Sequence, residues 1–506
     1  MPISKVLIAN RGEIALRILR TLREMDIRSV AVFSEADREE LHVRQADEAY
    51  LLGPAAPSES YLRIDRILEV AKQSGADAVH PGYGFLAENA DFAKAVEDAG
   101  LTFIGPTPES ISRAGDKLQA RLAMIEAGVP VIPGTQEPIG DPNEIRAIAD
   151  EIGYPVALKA VGGGGGKGIR IVHDPDDLVP AFERASAEAL SSFGNGAMYV
   201  EKFLENPRHI EIQLLSDTHG THLHLGEREC SIQRRHQKLL EEAPSPNVDA
   251  DMRAAMGKAA TDAARAVDYR GAGTVEFLAD KDGNFYFLEI NTRIQVEHPV
   301  TELVYGVDLI RWQVRVAEGA KLPFTQEEFQ PKGHAIEIRL TAEDPAQGFF
   351  PQTGIVRALR MPEGPGVRVD ANLYPGQEIT LHYDPMIGKI LTHGRDRDDA
   401  IERMKRALTE MRLVGLKTCA PLLVRLLDDE KFRAGDTDTG YLERYVEESD
   451  WQTLPELNDL PADLPAIITA VLYAHERQGA GAAVVGGNET RRGSPWLEAG
   501  RREMIR

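Results

Sequence analysis

The sequence predicts an α/β protein of several domains, on three observations. It runs to 506 residues, against about 150 for one typical domain, so two to four domains and a sizeable core are expected. Its N-terminal part alternates strand-like and helix-like patterns, which implies a parallel sheet with helices on both faces. Its composition, 42% hydrophobic and 27% charged, is that of an ordinary globular chain.

The elements follow in order. Lys5-Val6-Leu7-Ile8-Ala9 reads as a buried strand, and Ile14, Ile18, Leu22 and Met25 then recur at helical spacing. Ser29 to Phe33 is a strand, Ile64 to Leu68 with Ala71 a helix, and Ala78-Val79-His80 a strand ending at Pro81-Gly82. The loop Asn10-Arg11-Gly12-Glu13 lacks the three-glycine dinucleotide fingerprint, so a nicotinamide enzyme is unsupported where its signal should lie. A second region spans residues 115–330. A third begins near His334 with short strands, including Gly354 to Leu359, and closes with a helix from Arg397 to Arg412. The last stretch holds a possible helix, Ala466 to Glu476, then small residues (Gln478 to Ala483) and an arginine-containing end. It reads as a linker or docking segment. No internal repeat is present.

Fifty-eight Lys and Arg face 80 Asp and Glu, a net charge of −22. That acidity excludes a general nucleic-acid binder or an anionic-membrane protein, both of which need a basic footprint, but leaves room for a local basic pocket. Cys230 and Cys419 make no disulfide framework and have no metal-ligand spacing, which fits a reducing compartment. The N-terminus has no leader pattern and no apolar run approaches the ~18 residues of a membrane span. A soluble, cytoplasmic protein is expected.

Gly162 to Gly166 and Gly168, broken only by Lys167, form a glycine-rich loop between two apolar runs, Pro155 to Val161 and Ile169 to Val172. A flexible linker is the bland reading; the flanks make it a hairpin tip instead. It is not a P-loop, because Val161 and Gly168 stand where that pattern needs Gly and Ser or Thr. A tip without side chains can still fold over a polyphosphate and offer backbone N–H groups, with Lys159 adding charge from the adjacent strand.

Asp282-Gly283 signals a two-residue hairpin turn between Val275 to Leu278 and Phe285 to Ile290. With Lys281 and Asn284 flanking that turn, Glu276 lies directly opposite Glu289. Like charges so placed are destabilising. Either a basic side chain neutralises one of them, or a bulge changes the register, or a cation sits between them, as proteins hold Mg²⁺ beside phosphates. Residues 289, 291, 293, 295 and 297 are Glu, Asn, Arg, Gln and Glu. If the chain stays extended, all five project to one side; an ordinary half-exposed strand has the same alternation. His334 to Leu340 alternates with Arg339 on its polar face, and Glu229 to Lys238 is a cationic cluster, either a solvated loop or a charge-neutralising wall. His209 to Gln213 is another alternating strand.

At this point several long motifs resemble biotin carboxylase. They are Arg11 to Ala15, His80 to Asn89, Gly162 to Gly168, Arg228 to Arg235, and Glu289 to Pro299, in collinear order over residues 1–447. The resemblance implies an ATP-grasp fold: a Rossmann-like domain (1–114), a central ATP-grasp domain (115–330) with a mobile lid near 131–203, and a C-terminal α+β domain (331–447), then a tail (448–506). It implies that Lys117, Lys159 and the loop glycines Gly163, Gly164, Gly165 and Gly166 bind ATP phosphates. Glu201, Lys202, Phe203 and Leu204, with Leu278, would hold adenine, and His209, Gln233 and His236 would place the nucleotide. Glu276 and Glu289, with Asn291 nearby, would carry Mg²⁺ or Mn²⁺.

The chemistry so implied has two stages. Arg293, Gln295 and the Val296 backbone hold bicarbonate while Glu297, as base, directs it at the γ-phosphate to form carboxyphosphate, with Lys238 neutralising charge. Carboxyphosphate yields CO₂ and phosphate, the phosphate takes the biotin ureido proton, and Arg339 stabilises the enolate that attacks CO₂; Tyr83 also lies on the substrate side. Ile290 stands where the family commonly has Met, and Tyr305-Gly306-Val307-Asp308 replaces a Thr-Gly-Ile-Asp run; neither implies catalytic loss. No Ala-Met-Lys-Met biotin-attachment motif occurs, so carrier protein and carboxyltransferase are expected on separate chains, around a homodimeric core. The expected function is the biotin carboxylase component of an acyl-CoA carboxylase, or of a pyruvate-type one. The rivals are another ATP-grasp carboxylate ligase, against which Arg293 to Glu297 and Arg339 weigh, and a non-catalytic ATP-binding scaffold, which should have lost Glu297 or the metal pair.

Overall fold

Lys5–Ile8 (β1) is short, aliphatic and buried, as a central strand covered on both faces must be. With Arg28–Ser34 (β2), Glu48–Gly53 (β3), Ala78–His80 (β4) and Thr102–Phe103 (β5) it forms a parallel sheet in the order β3-β2-β1-β4-β5. The helix Gly12–Glu24 lays Ile14, Ile18 and Leu22 against Val6 and Ile8. Ile67, Val70 and Phe92 cover the other face, over Leu7, Val30 and Val32. At the carboxyl edge, Asn10 Nδ2 donates to the carbonyls of Pro81 (2.8 Å) and Tyr83 (2.7 Å). Gly82, at φ +65°, lets the two loops close, because a Cβ there would meet Asn10 Nδ2 at 2.9 Å.

The structure is a computed structural model and describes residues 2–452 except 136, 161–168 and 194–195. Val156–Ala160 (β6), Ile169–Val172 (β7) and Met198–Lys202 (β8) form a small antiparallel sheet, β7-β6-β8. Val156, Leu158 and Val200 pack with Ile145 and Phe182 from two covering helices. The flanks of the glycine-rich loop are thus paired strands, as expected; the loop itself, Gly163 to Gly166 included, lies outside the described residues.

The largest sheet has eight antiparallel strands. Arg208–Ser216 (β9), His222–Arg234 (β10), Gln237–Ala243 (β11), Gly271–Ala279 (β12), Phe285–Asn291 (β13) and His334–Thr341 (β14) belong to it. It is completed by Val367–Ala371 (β19) and Met386–Gly394 (β21), while three two-strand pairings stand apart: Glu343–Asp344 (β15) with Phe350–Pro351 (β16), Gly354–Ile355 (β17) with Glu378–Ile379 (β20), and Ala358–Arg360 (β18) with Arg412–Val414 (β22). Its order is β13-β12-β9-β10-β11-β14-β21-β19, continuous across residue 330. The helix Ala250–Ala266 covers β9 and β12, packing Ala260 and Ala264 on Ile212, Val275 and Phe277.

Four sequence expectations are corrected here. The β12–β13 loop is not a two-residue turn: Ala279 pairs with Phe285, and Asp280 Oδ1 accepts from the amides of Asp282 and Asn284, both at 2.9 Å. That side-chain turn outcompetes the Asp-Gly turn. A register shift between Glu276 and Phe277 then adds one residue on β13, and Glu276 does face Glu289. The bulge, not the turn, creates the opposed pair. Second, the polar row does not stay extended: the strand ends at Asn291, and residues 292–297 are irregular up to the helix His298–Tyr305. Third, Gly354 to Leu359 is two strands, interrupted at Val356 and Arg357. Fourth, the helix from Arg397 ends at Glu410, Arg412–Val414 (β22) follows, and three further helices lead to Glu448.

Met1–Ser449 form one compact unit and Asp450–Arg506 a second. Residues 453–506, where the expected helix Ala466 to Glu476 falls, lie outside the described residues. Among the described residues no helix is long and apolar enough to cross a membrane.

Candidate active site

Strand pairing places Glu289 of β13, Glu276 of β12 and Glu211 of β9 in one row, followed by Arg228 of β10. Three neighbouring carboxylates are tolerable only if cations lie among them. Arg228, with 0% of its side chain exposed, binds Glu211 Oε2 through Nη2 (2.9 Å) and Nε (3.1 Å). Lys238 is the hub. It pairs with Glu211, with Glu276 Oε1 at 3.2 Å and with Glu297 Oε1 at 2.9 Å. His209 Nε2 lies 2.9 Å from Glu276 Oε2.

Glu297 stands at the N-terminus of the helix His298–Tyr305, its side chain 0% exposed. Its second oxygen accepts from Arg339 Nη2 at 2.9 Å, while Arg339 Nε donates to Glu241 at 2.6 Å. Burial alone would push the Glu297 carboxyl up; Lys238 and Arg339 outweigh it and hold the group far below the ordinary range, ionised. Lys238 reaches Glu297 and Arg228 reaches Glu211 from one segment because Arg228 to Lys238 is a hairpin, β10 turning at Arg235 and His236 (φ +48° and +66°) into β11. The cationic cluster is therefore a wall, with only its tip in solvent.

The irregular stretch after β13 gathers its polar groups on the same spot. Arg293 donates to Asn291 Oδ1 (3.0 Å), Gln295 Oε1 (2.7 Å) and Glu88 Oε2 (2.9 Å). Asn291 Nδ2 and Gln295 Nε2 both donate to Glu276 Oε1, at 2.8 and 3.0 Å. Glu88 also accepts from the Thr292 amide at 3.0 Å, which docks the His80 to Asn89 motif on the site. Tyr83 donates to Glu13.

Lys159 pairs with Glu201 across β6 and β8. Lys202 Nζ donates to the carbonyls of Gly153 (3.0 Å) and Tyr154 (2.9 Å), and Leu204 follows, half-buried. Leu278 is the strand partner of His209, and Gln233 that of Lys238; His236 is exposed at the hairpin tip. Lys117 begins a helix, and its side chain lies outside the described set.

Two opposed glutamates with an amide beside them offer hard oxygen donors of the kind that suit Mg²⁺ or Mn²⁺, and Glu276 is held as the carboxylate, below its ordinary range, by Lys238 and His209 against burial. The donor set fits such an ion. The tightest clusters of ligand atoms among the described residues are His209, Glu211 and Glu276, and Glu211, Cys230 and Glu297. Pattern reading overlooked Glu211, Arg228, Glu241 and Glu88 as site residues. Arg228 and Glu88 sat within motifs, and Glu211 in an alternating strand, but their convergence depends on register between distant strands.

Three family models match the chain: biotin carboxylase N-terminal domain at residues 2–111, carbamoyl-phosphate synthase L chain ATP binding domain at 116–325, and biotin carboxylase C-terminal domain at 337–444. A pyruvate carboxylase subunit of Methanothermobacter thermautotrophicus is 50% identical over 490 residues, covering 94% of this chain and 100% of that protein. The chain belongs to the biotin carboxylase family. Biotin carboxylase 1 of Bacillus subtilis is 52% identical over 444 residues, covering 88% of this chain and 99% of its own. The biotin carboxylase domain dimer of Hydrogenobacter thermophilus 2-oxoglutarate carboxylase, solved with MgADP, ADP and bicarbonate, superposes with a TM-score of 0.80 at 46% identity over 89% of this chain and 99% of that one. The α/β, ATP-grasp architecture of this family is what the motifs implied, and the chain is an ATP-dependent enzyme of it.

Proposed function

We propose that the chain is a biotin carboxylase component that carboxylates biotin on a separate carrier protein, using ATP and bicarbonate. The observation that carries this reading is Glu297, buried and ionised between Lys238 and Arg339, with Arg293 and Gln295 beside it. Arg293, Gln295 and the Val296 backbone take bicarbonate; Glu297 takes its proton, and the freed oxygen attacks the γ-phosphorus as ADP leaves. Each contact that Lys238 and Arg339 transfer from Glu297 to a substrate anion raises the basicity of Glu297, so substrate binding arms the base. The resulting carboxyphosphate breaks down to CO₂ and phosphate. The phosphate removes the ureido proton of biotin, Arg339 steadies the developing enolate, and the ureido nitrogen attacks CO₂; Tyr83 stands on this side. A divalent cation on Glu276, Glu289 and Asn291 supplies charge neutralisation to the nucleotide phosphates when bound.

Lys117, Lys159 and Gly163 to Gly166 serve the phosphates, and Glu201, Lys202, Leu204, Leu278, His209, Gln233 and His236 the rest of the nucleotide. The carrier and the carboxyltransferase are separate chains and the core a homodimer, as the dimeric relative supports. The final acceptor, an acyl-CoA or pyruvate, is selected by the carboxyltransferase. One observation favours the pyruvate-type complex: the match to the Methanothermobacter pyruvate carboxylase component covers 94% of this chain, more than residues 1–447 alone can supply. Part of the tail therefore has a counterpart there, and we assign the tail to docking of the partner chains.

The test is transfer of labelled bicarbonate carbon to free biotin as an acid-labile adduct. ATP-dependent labelling that vanishes in Glu297→Gln supports the reading; ATP binding without labelling of biotin or carrier refutes it.

A further inference from the structure

Lys389 carries no expectation from the sequence, yet it is among the most buried cations of the chain, with 0% of its side chain exposed. It stands on β21 directly across from Arg339 of β14. Its ammonium donates to the carbonyl of Val296 at 2.7 Å and pairs with Glu13 Oε1 at 3.1 Å. Glu13 lies in the first turn of the helix Gly12–Glu24 and also accepts from the Tyr83 hydroxyl, whose ring centroid is 6.0 Å from the ammonium. Arg339, one strand over, grips the Glu297 carboxylate. Two facing cations of one strand pair thus hold two successive residues of the irregular loop, one by its backbone and the other by its side chain.

Burying a lysine is costly, and a methionine would fill the same space without that cost. Burial pushes the ammonium's pKa down, and Glu13, Glu337 and Asp370 together push it back above the ordinary value, so the charge is kept. The group that it reaches is a backbone carbonyl, which a packing residue cannot hold. That bond fixes the peptide joining Val296 to Glu297, from which the Glu297 side chain springs. Ile294, buried in the core beneath the helix Gly12–Glu24, anchors the other end of the loop.

We propose that Lys389 is a positioning residue for bicarbonate: it ties the Val296–Glu297 peptide to Glu13 and Tyr83, so that the anion-binding loop is set before the substrate arrives. The proposal rests on the reading of Arg293 to Glu297 as the bicarbonate site. It also links the loop to the Tyr83 side, where biotin is placed, through a single carboxylate.

The test is Lys389→Met in the full chain, with two readouts. In ADP formation, the bicarbonate KM is expected to rise about tenfold, the scale of one lost charged hydrogen bond, while the ATP KM stays within about twofold. In hydrogen exchange without substrates, amides of residues 293–298 are expected to exchange about tenfold faster, with residues 208–216 and 271–279 unchanged. If Lys389→Met does not fold, Glu13→Gln takes its place: it keeps an acceptor for Tyr83 but removes the charge that steadies the ammonium, and the same two shifts are expected, smaller. A fall in kcat with an unaltered bicarbonate KM, or unaltered exchange in the loop, overturns the proposal. If the unaltered chain shows no bicarbonate-dependent turnover, the functional reading fails instead, and the exchange comparison alone decides the role of Lys389.

Discussion

The base proposed for bicarbonate, Glu297, must be ionised to accept a proton, and it is kept so although its side chain is fully buried. Burial works against the charge, and Lys238 and Arg339 restore it. Replacing Glu297 by Gln leaves the shape and removes the proton acceptor, so kcat for bicarbonate-dependent ADP formation should fall by about 10²–10⁴, with the ATP Kd unchanged; retained turnover would assign the base elsewhere. Arg228 acts one step away. Its removal leaves Glu211 with Lys238 and the His209 ring but no guanidinium, so Arg228→Met should destabilise the fold by about 3 kcal/mol, measured as a lowered thermal midpoint; an unchanged midpoint contradicts the pairing. Glu297, Arg293 and Gln295 were legible because they fall in one short motif. Lys389 was not, because the Met386–Gly394 strand that bears it resembles any apolar strand with one lysine, and only its register against Arg339 brings it to the loop.

Among elements, the β12–β13 hairpin shows how a correct expectation can have the wrong cause. The apolar runs on either side of Asp282-Gly283 located both strands, but a turn centred on Asp282-Gly283 and the Asp280-centred loop differ only in which backbone groups a short carboxylate reaches. The bulge that restores the facing of Glu276 and Glu289 has no signature in residue type. The end of β13 at Asn291 was equally hidden, since alternation continues through the irregular stretch that follows. A second element-level contact ties the helix Arg397–Glu410 to the sheet. Glu242 of β11 accepts from His334 Nε2 and Arg397 Nε, both at 2.6 Å, while Arg397 also donates to the carbonyls of Phe432 and Arg433. Although burial would raise the Glu242 carboxyl, His334 and Arg397 pull it down to about 2. A depressed carboxyl stabilises the fold above its unfolded pKa near 4.3 and loses that contribution as pH falls towards 2, a matter of roughly 3 kcal/mol. Glu242→Gln should therefore unfold at lower urea than the unaltered chain at pH 7, with the gap closing below about pH 4. A gap independent of pH would remove Glu242 as its source.

Across the whole molecule, the site is assembled from all three regions of unit Met1–Ser449. The loop after β4 of the N-terminal sheet contributes Glu88 and Tyr83, the central strands Glu211, Lys238 and Glu276, and β14 contributes Arg339. The fold class and the family were legible because the parallel sheet and the long motifs are local in sequence. The convergence of the regions was not, because it is made by an eight-stranded sheet that runs through residues far apart in the chain. Since two opposed glutamates are read as holding the cation, chelation should abolish ADP formation and added Mg²⁺ should restore it; activity indifferent to chelation contradicts that assignment. The most direct measurement of the central claim is ADP release by the purified chain with Mg-ATP and bicarbonate, with and without free biotin. Release that needs bicarbonate, rises with biotin and collapses in Glu297→Gln is the predicted result, whereas bicarbonate-dependent release indifferent to biotin or its carrier would make the chain a different ATP-grasp ligase.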